Sequence, residues 1–96
     1  YLDIVNVYMQ ARIPGTEYCR IQNMWGGLYA VNQEDENAIL GDYPGIENLY
    51  LAVGFSGHGV MESAGVGKSM SEYILKNRFE TIPEVAQLKF IRFKEG

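Results

Sequence analysis

Residues Asn48–Lys76 read NLYLAVGFSGHGVMESAGVGKSMSEYILK: an apolar run, a glycine-rich turn, then a helical pattern. Leu49, Tyr50, Leu51, Ala52 and Val53 are too few for a helix and rich in β-formers, which predicts a buried strand. Gly54-Phe55-Ser56-Gly57-His58-Gly59 follows, and its glycines remove the Cβ atoms that would keep a flat ligand from the backbone. From about Val60 onward, Val60, Ala64, Val66, Met70, Tyr73 and Ile74 keep helical spacing, with Lys68, Ser69, Ser71 and Glu72 outside the stripe. A helix therefore begins at the turn and aims its first N–H groups back into it. Such a terminus carries unpaired donors and a partial positive charge, so it suits an anion or an electron-rich oxygen. A tight strand-to-helix turn without a ligand fits the same residues.

The chain's 96 residues suffice for one small domain. Hydrophobic residues at 47% and charged residues at 21% are globular values. A net charge of -4, from 8 basic against 12 acidic residues with no basic cluster, argues against nucleic acid or an anionic membrane surface as partner. No apolar run is long enough to span a bilayer. Cys19, the single cysteine, forms neither an internal disulfide nor a metal site and points to a reducing compartment. The start at Tyr1, without methionine, arginine-rich presequence or signal peptide, predicts a processed, truncated or partial chain.

Elsewhere the signals are local. Tyr1 to Arg12 fits a strand through Val5, Val7, Met9 and Ala11 and a helix through Ile4, Tyr8 and Ala11, and Pro14-Gly15 ends either. Arg20 to Val31 predicts a long strand broken at Gly26-Gly27, where a bulge or a close backbone approach is expected. The acidic loop Asn32–Asn37 follows, its carboxylates Glu34, Asp35 and Glu36 forming a solvated tip, with Ala38 to Leu40 as the return strand. Gly41-Asp42-Tyr43-Pro44-Gly45 is turn chemistry, Asn77 closes the helix, and Phe90 to Lys94 alternates as a short final strand or extended tail. Gly65-Val66-Gly67-Lys68-Ser69 is not a phosphate loop, because Glu62 stands where that motif needs its first glycine. Gly65 and Gly67 instead suggest close packing on one helix face. His58, the single histidine, sits in the turn without a nucleophile or paired acid, so no catalytic residue is assigned.

GFSGHG with its AGVGKSMSEYI helix resembles the flavin turn near the C-terminus of the D-amino-acid oxidase and sarcosine oxidase family. Trp25-Gly26-Gly27-Leu28-Tyr29 and Ala38-Ile39-Leu40-Gly41 resemble the two strands preceding that turn. The resemblance implies a helix over residues 1–12 and an α+β fold: that helix, antiparallel strands, the glycine turn and one main C-terminal helix. It implies cofactor contacts from Gly54, Phe55, Ser56, Gly57, His58, Gly59 and Val60, with the amides of Ser56 to Val60 facing the flavin pyrimidine oxygen. Tyr29 matches a tyrosine near the substrate face of the flavin. A cysteine that bonds flavin covalently in sarcosine oxidase relatives is Gly27 here, and a lysine that grips the substrate carboxylate is Met61. FAD is therefore expected to be non-covalent, and an amino-acid substrate is disfavoured. The family holds the ADP part of FAD on a Gly-x-Gly-x-x-Gly unit that these residues do not contain, so residues 1–96 are expected to be a single partial domain. FAD binding then needs the remaining part of the flavoprotein or a partner chain. The tail LKNRFETIPEVAQLKFIRF resembles a mitochondrial branch that assists assembly of respiratory complex I, which implies mitochondrial location and complex I subunits as partners, with a non-catalytic structural role as the alternative.

Overall fold

A computed structural model describes residues 1–94. Helix α1 (Leu2–Arg12) places Asp3 in its first turn and Arg12 in its last, both favourable to the helix dipole. It stops at Ile13, whose extended backbone (φ -127°, ψ 101°) is what a residue before proline adopts, and Gly15 then turns at φ +92°. None of its residues is buried, and a short 3-10 turn, Thr16–Tyr18, follows.

Strands β1 (Ile39–Asp42) and β2 (Tyr50–Val53) pair antiparallel, with Ile39 opposite Val53, Leu40 opposite Ala52, Gly41 opposite Leu51 and Asp42 opposite Tyr50. The loop between them is closed by Tyr43 N–H donating to the Leu49 carbonyl at 2.9 Å. Two expectations change here. Arg20–Val31 is not a strand: only Val31 bridges to Phe55, Ser56 N–H donates to the Ala30 carbonyl at 3.0 Å, and Trp25 is exposed. β-Favouring side chains make a strand only where a neighbour takes up the backbone groups, and β1, the expected partner, pairs in its two-stranded sheet with β2 alone. Nor is β2 a buried strand. Within this two-stranded sheet, Leu40 of β1 turns into the core at 2% exposure while Tyr50, Ala52 and Val53 lie outward.

Helix α2 (Gly59–Lys76) packs its middle against the sheet. The core joins Leu40, Met70, Tyr73 and Phe79, with Phe55, Val66, Val85 and Leu88 against it. Tyr73 stacks on Phe79 at 4.7 Å between ring centres. The buried face differs from the apolar stripe: Val60 and Ile74 are exposed, whereas Ser69 and Glu72 are buried. The chain beyond α2 causes this by folding back and presenting donors. Glu80 N–H, Thr81 N–H and the Thr81 hydroxyl all donate to the Glu72 carboxylate, at 2.9, 3.0 and 2.5 Å. A carboxylate holding three such bonds is satisfied indoors. Asn77 ends the helix in the left-handed region at φ +59°, its N–H donating to the Tyr73 carbonyl at 2.8 Å. A Cβ at Gly65 would touch Ile82 Cδ1 at 3.8 Å, but one at Gly67 would meet nothing within 4 Å, so the expected close packing holds for Gly65 alone.

The tail forms two 3-10 segments, Pro83–Leu88 and Phe90–Phe93, the second in place of the expected short final strand or extended tail. Its alternating residues are held by side chains rather than by a ladder. Phe90 packs on Tyr43 at 5.2 Å, and Lys89 pairs with Asp42 at 3.0 Å while lying over the Tyr73 ring. The radius of gyration is 18.9 Å, against about 12 Å for a compact domain of this length, because α1 and residues 19–30 stand away from the core.

Candidate functional site

The glycine turn joins the end of β2 to the start of α2, and its backbone explains its composition. Gly54 lies at φ +76° and Gly57 at φ +85°, both in the left-handed region that favours glycine, and Ser56 between them is forced to φ +51°. The Tyr29 ring lies over Gly57 so closely that a Cβ there would come within 2.6 Å of Tyr29 Cζ. Tyr29, Gly54, Phe55, Ser56 and Gly57 together line an open groove of about 390 Å³, floored by Ala52 and Val53 of β2. His58, Gly59 and Val60 lie beyond its rim, at the exposed start of α2. His58 is the helix N-cap but makes no side-chain capping bond.

The donors are fewer than the sequence reading expects. Ser56 N–H is engaged by Ala30 and His58 N–H by the Phe55 carbonyl at 2.8 Å, so neither faces a ligand. Among the described residues, the amides of Gly59, Val60 and Met61, the first three of α2, have no hydrogen-bond partner. Glu62 N–H is the first to bond backwards, to the His58 carbonyl at 3.2 Å. The usable positive end of the helix is thus Gly59–Met61.

The acidic loop supports the turn, and its tip is not merely solvated. Ser56 Oγ donates to the Glu36 carbonyl at 3.1 Å. Asp35 accepts from Arg92 Nε at 2.8 Å, from Asn32 Nδ2 at 2.8 Å and from Asn37 N–H at 3.0 Å, and the Arg92 guanidinium foremost holds its carboxyl below the usual range. Asp42 is likewise held low, first by the Tyr73 hydroxyl at 2.5 Å and then by Lys89, while burial pushes the Tyr73 hydroxyl up. Sequence reasoning missed Asn32 and Arg92, since neither belongs to a motif.

A second cavity of about 350 Å³ lies on the other side of Phe55, between α2, β1 and the tail, lined by apolar groups with Ser69 at its base and Glu62 among its lining residues. Among the described residues, no cluster of His, Cys, Asp or Glu side chains could hold a metal ion, and no helix is long and apolar enough to cross a membrane.

The turn fits the isoalloxazine end of a flavin through three unengaged amides at a helix N-terminus, whereas Gly54 is buried against Asn32 and the Tyr29 ring covers the side of Gly57 where a Cβ would stand. No cysteine thiol is placed for a covalent link, because Gly27 carries no side chain and Cys19 lies exposed beyond α1.

A family model for FAD dependent oxidoreductases (DAO) matches residues 5–73. The Drosophila melanogaster FAD-dependent oxidoreductase domain-containing protein 1 homolog is 43% identical over 88 residues, covering 92% of this chain and 17% of that protein. FAD-dependent oxidoreductase domain-containing protein 1 of Bos taurus is 36% identical over 85 residues, covering 88% of this chain and 17% of its own length. The Mus musculus protein of the same name is 34% identical over 89 residues, with 93% and 18% covered. The chain thus spans about a sixth of the length of the curated relatives it matches. No solved structure matches it significantly. With the α+β arrangement of helices and antiparallel strands and the glycine turn in its expected place, these matches show that the chain belongs to the FAD-dependent oxidoreductase family.

Proposed function

We propose that this chain forms the flavin-facing part of an FAD-dependent oxidoreductase, with the ADP half of the cofactor held by a dinucleotide-binding unit outside these 96 residues. The observation that carries this reading is the glycine turn, where positive φ at Gly54 and Gly57 folds the chain from β2 into α2 and leaves the amides of Gly59, Val60 and Met61 unengaged. FAD, when bound, supplies the redox chemistry. The chain contributes amides that favour an electron-rich ring oxygen, a groove that orients the ring, and Tyr29 above Gly57 as the group nearest a substrate. Attachment is non-covalent, since Gly27 offers no thiol. The proposed location is the mitochondrion.

A second reading, a structural or assembly role at respiratory complex I without turnover, draws on Met61 and Gly27. Met61 is 73% exposed and carries no charge to grip a substrate carboxylate. The visible spectrum of the native assembly separates the two: flavin bands that bleach on reduction support the oxidoreductase. A colourless assembly that still requires this chain supports the second.

A further inference from the structure

We propose that Arg92 is a positioning residue for the flavin turn, acting through Asp35 and the loop Asn32–Asn37; the inference rests on the flavin reading above. Arg92 is only 18% exposed and spreads its donors as a fork across two segments, residues 35–38 and the tail. Nε and Nη2 bind the two Asp35 oxygens at 2.8 and 3.1 Å, 57 positions away in sequence. Nη2 also donates to the carbonyls of Asn37 and Ala38 at 3.2 and 3.1 Å, and Nη1 to the Leu88 carbonyl at 2.5 Å. A planar guanidinium can hold these acceptors together, whereas a lysine ammonium cannot match the fork.

What Arg92 fixes is carried one step further. Asp35 orients Asn32 and the Asn37 backbone, and Glu36 N–H returns to the Asn32 carbonyl at 2.9 Å. Glu36 is thereby kept at φ +58°, an uncommon backbone for glutamate, with its carbonyl accepting the Ser56 hydroxyl. Ser56 is itself at φ +51°, and Asn32 Cβ stands 3.6 Å from where a Cβ on Gly54 would be. Two strained non-glycine residues joined by one hydrogen bond persist only where the surroundings over-determine them, and the Arg92 fork is what does so. The turn's geometry therefore depends on a residue that touches none of it.

The test uses the native flavin-loaded protein carrying Arg92→Lys, Arg92→Ala, Ser56→Gly or the Arg92→Lys/Ser56→Gly pair. Flavin Kd, the shape of the bound flavin's visible spectrum and the thermal midpoint are read for each. Each single change is expected to weaken flavin binding about tenfold, as loss of an outer-shell partner does, and to alter the spectrum. Ser56→Gly should do so with an unchanged midpoint, since glycine accepts φ +51° freely. The pair should bind flavin no worse than its weaker single, because both break one brace. An unchanged Kd and spectrum in Ser56→Gly and Arg92→Lys overturns the inference, as does full additivity in the pair. Should Arg92→Ala fail to fold, those two variants decide alone. Wild-type protein without flavin overturns the flavin reading itself, a result distinct from flavin-loaded wild type with unaffected variants.

Discussion

Replacing Gly57 with valine strikes the turn where backbone conformation and close approach coincide. At φ +85°, a residue with a Cβ costs about 1–2 kcal/mol relative to glycine, and β-branching raises this toward about 3 kcal/mol. The new Cβ would also lie 2.6 Å from Tyr29 Cζ, well inside the roughly 3.5–4 Å of ordinary carbon contact. That overlap adds little to the stability loss, because Tyr29 is 74% exposed and its ring can swing aside. The ring's departure matters for the site, since Tyr29 forms one wall of the groove beside Gly57. Urea midpoints and flavin content of the native protein measure the two effects together. The expected outcome is a loss of about 1–3 kcal/mol in stability with a proportionally larger fall in flavin occupancy. Adding Tyr29→Ala should remove the overlap yet leave the backbone cost, so stability should not recover. Unchanged stability and unchanged flavin in Gly57→Val would refute the reasoning, and full recovery of stability in the double variant would show that sterics, not φ, dominate.

Glu72, hydrogen-bonded first by the Thr81 hydroxyl and amide, has its carboxyl lowered from 4.5 to about 2. A folded value below the unfolded one means its contribution is complete above about pH 4.5 and disappears as pH falls to about 2. Urea midpoints should therefore fall more steeply across that window in wild type than in Glu72→Gln, and parallel curves would contradict the assignment. Ser69 Oγ is buried without a partner among the described residues, so Ser69→Ala should raise stability by about 1 kcal/mol in the same assay, and a loss would mean the hydroxyl is bonded. Asn77 at φ +59° should gain up to about 1 kcal/mol on replacement by glycine and lose about as much on replacement by valine, read from thermal unfolding.

Helix α2, its stop at Asn77 and the sharp turn before it were legible from helical periodicity and glycine spacing, whereas residues 1–12 fitted strand and helix alike and only the family resemblance implied α1. β2 was legible as a strand but not as an outward-facing one, since its burial depends on neighbours the run itself does not name. Residues 20–31 carry the side chains of a strand, yet strand formation is decided by a partner's backbone. Glu72 and Ser69 looked solvated because periodicity counts apolar residues, whereas the donors that bury Glu72 arrive from Glu80 and Thr81 beyond the helix. The groove's Gly54–Gly57 came from the glycine pattern and Tyr29 from the family resemblance, but the engagement of the Ser56 and His58 amides came from neither, because it depends on Ala30 and on the turn's own closure. Arg92 and Asp35 are joined across 57 positions and have no local signature at all.

The central claim, that the turn at Gly54–Val60 faces a non-covalently held flavin, is tested most directly by the native protein's visible absorption spectrum before and after acid precipitation. Flavin bands in the intact protein and free FAD in the acid supernatant are expected. A protein without flavin absorbance, or flavin that stays in the washed pellet and maps to this chain, would contradict it.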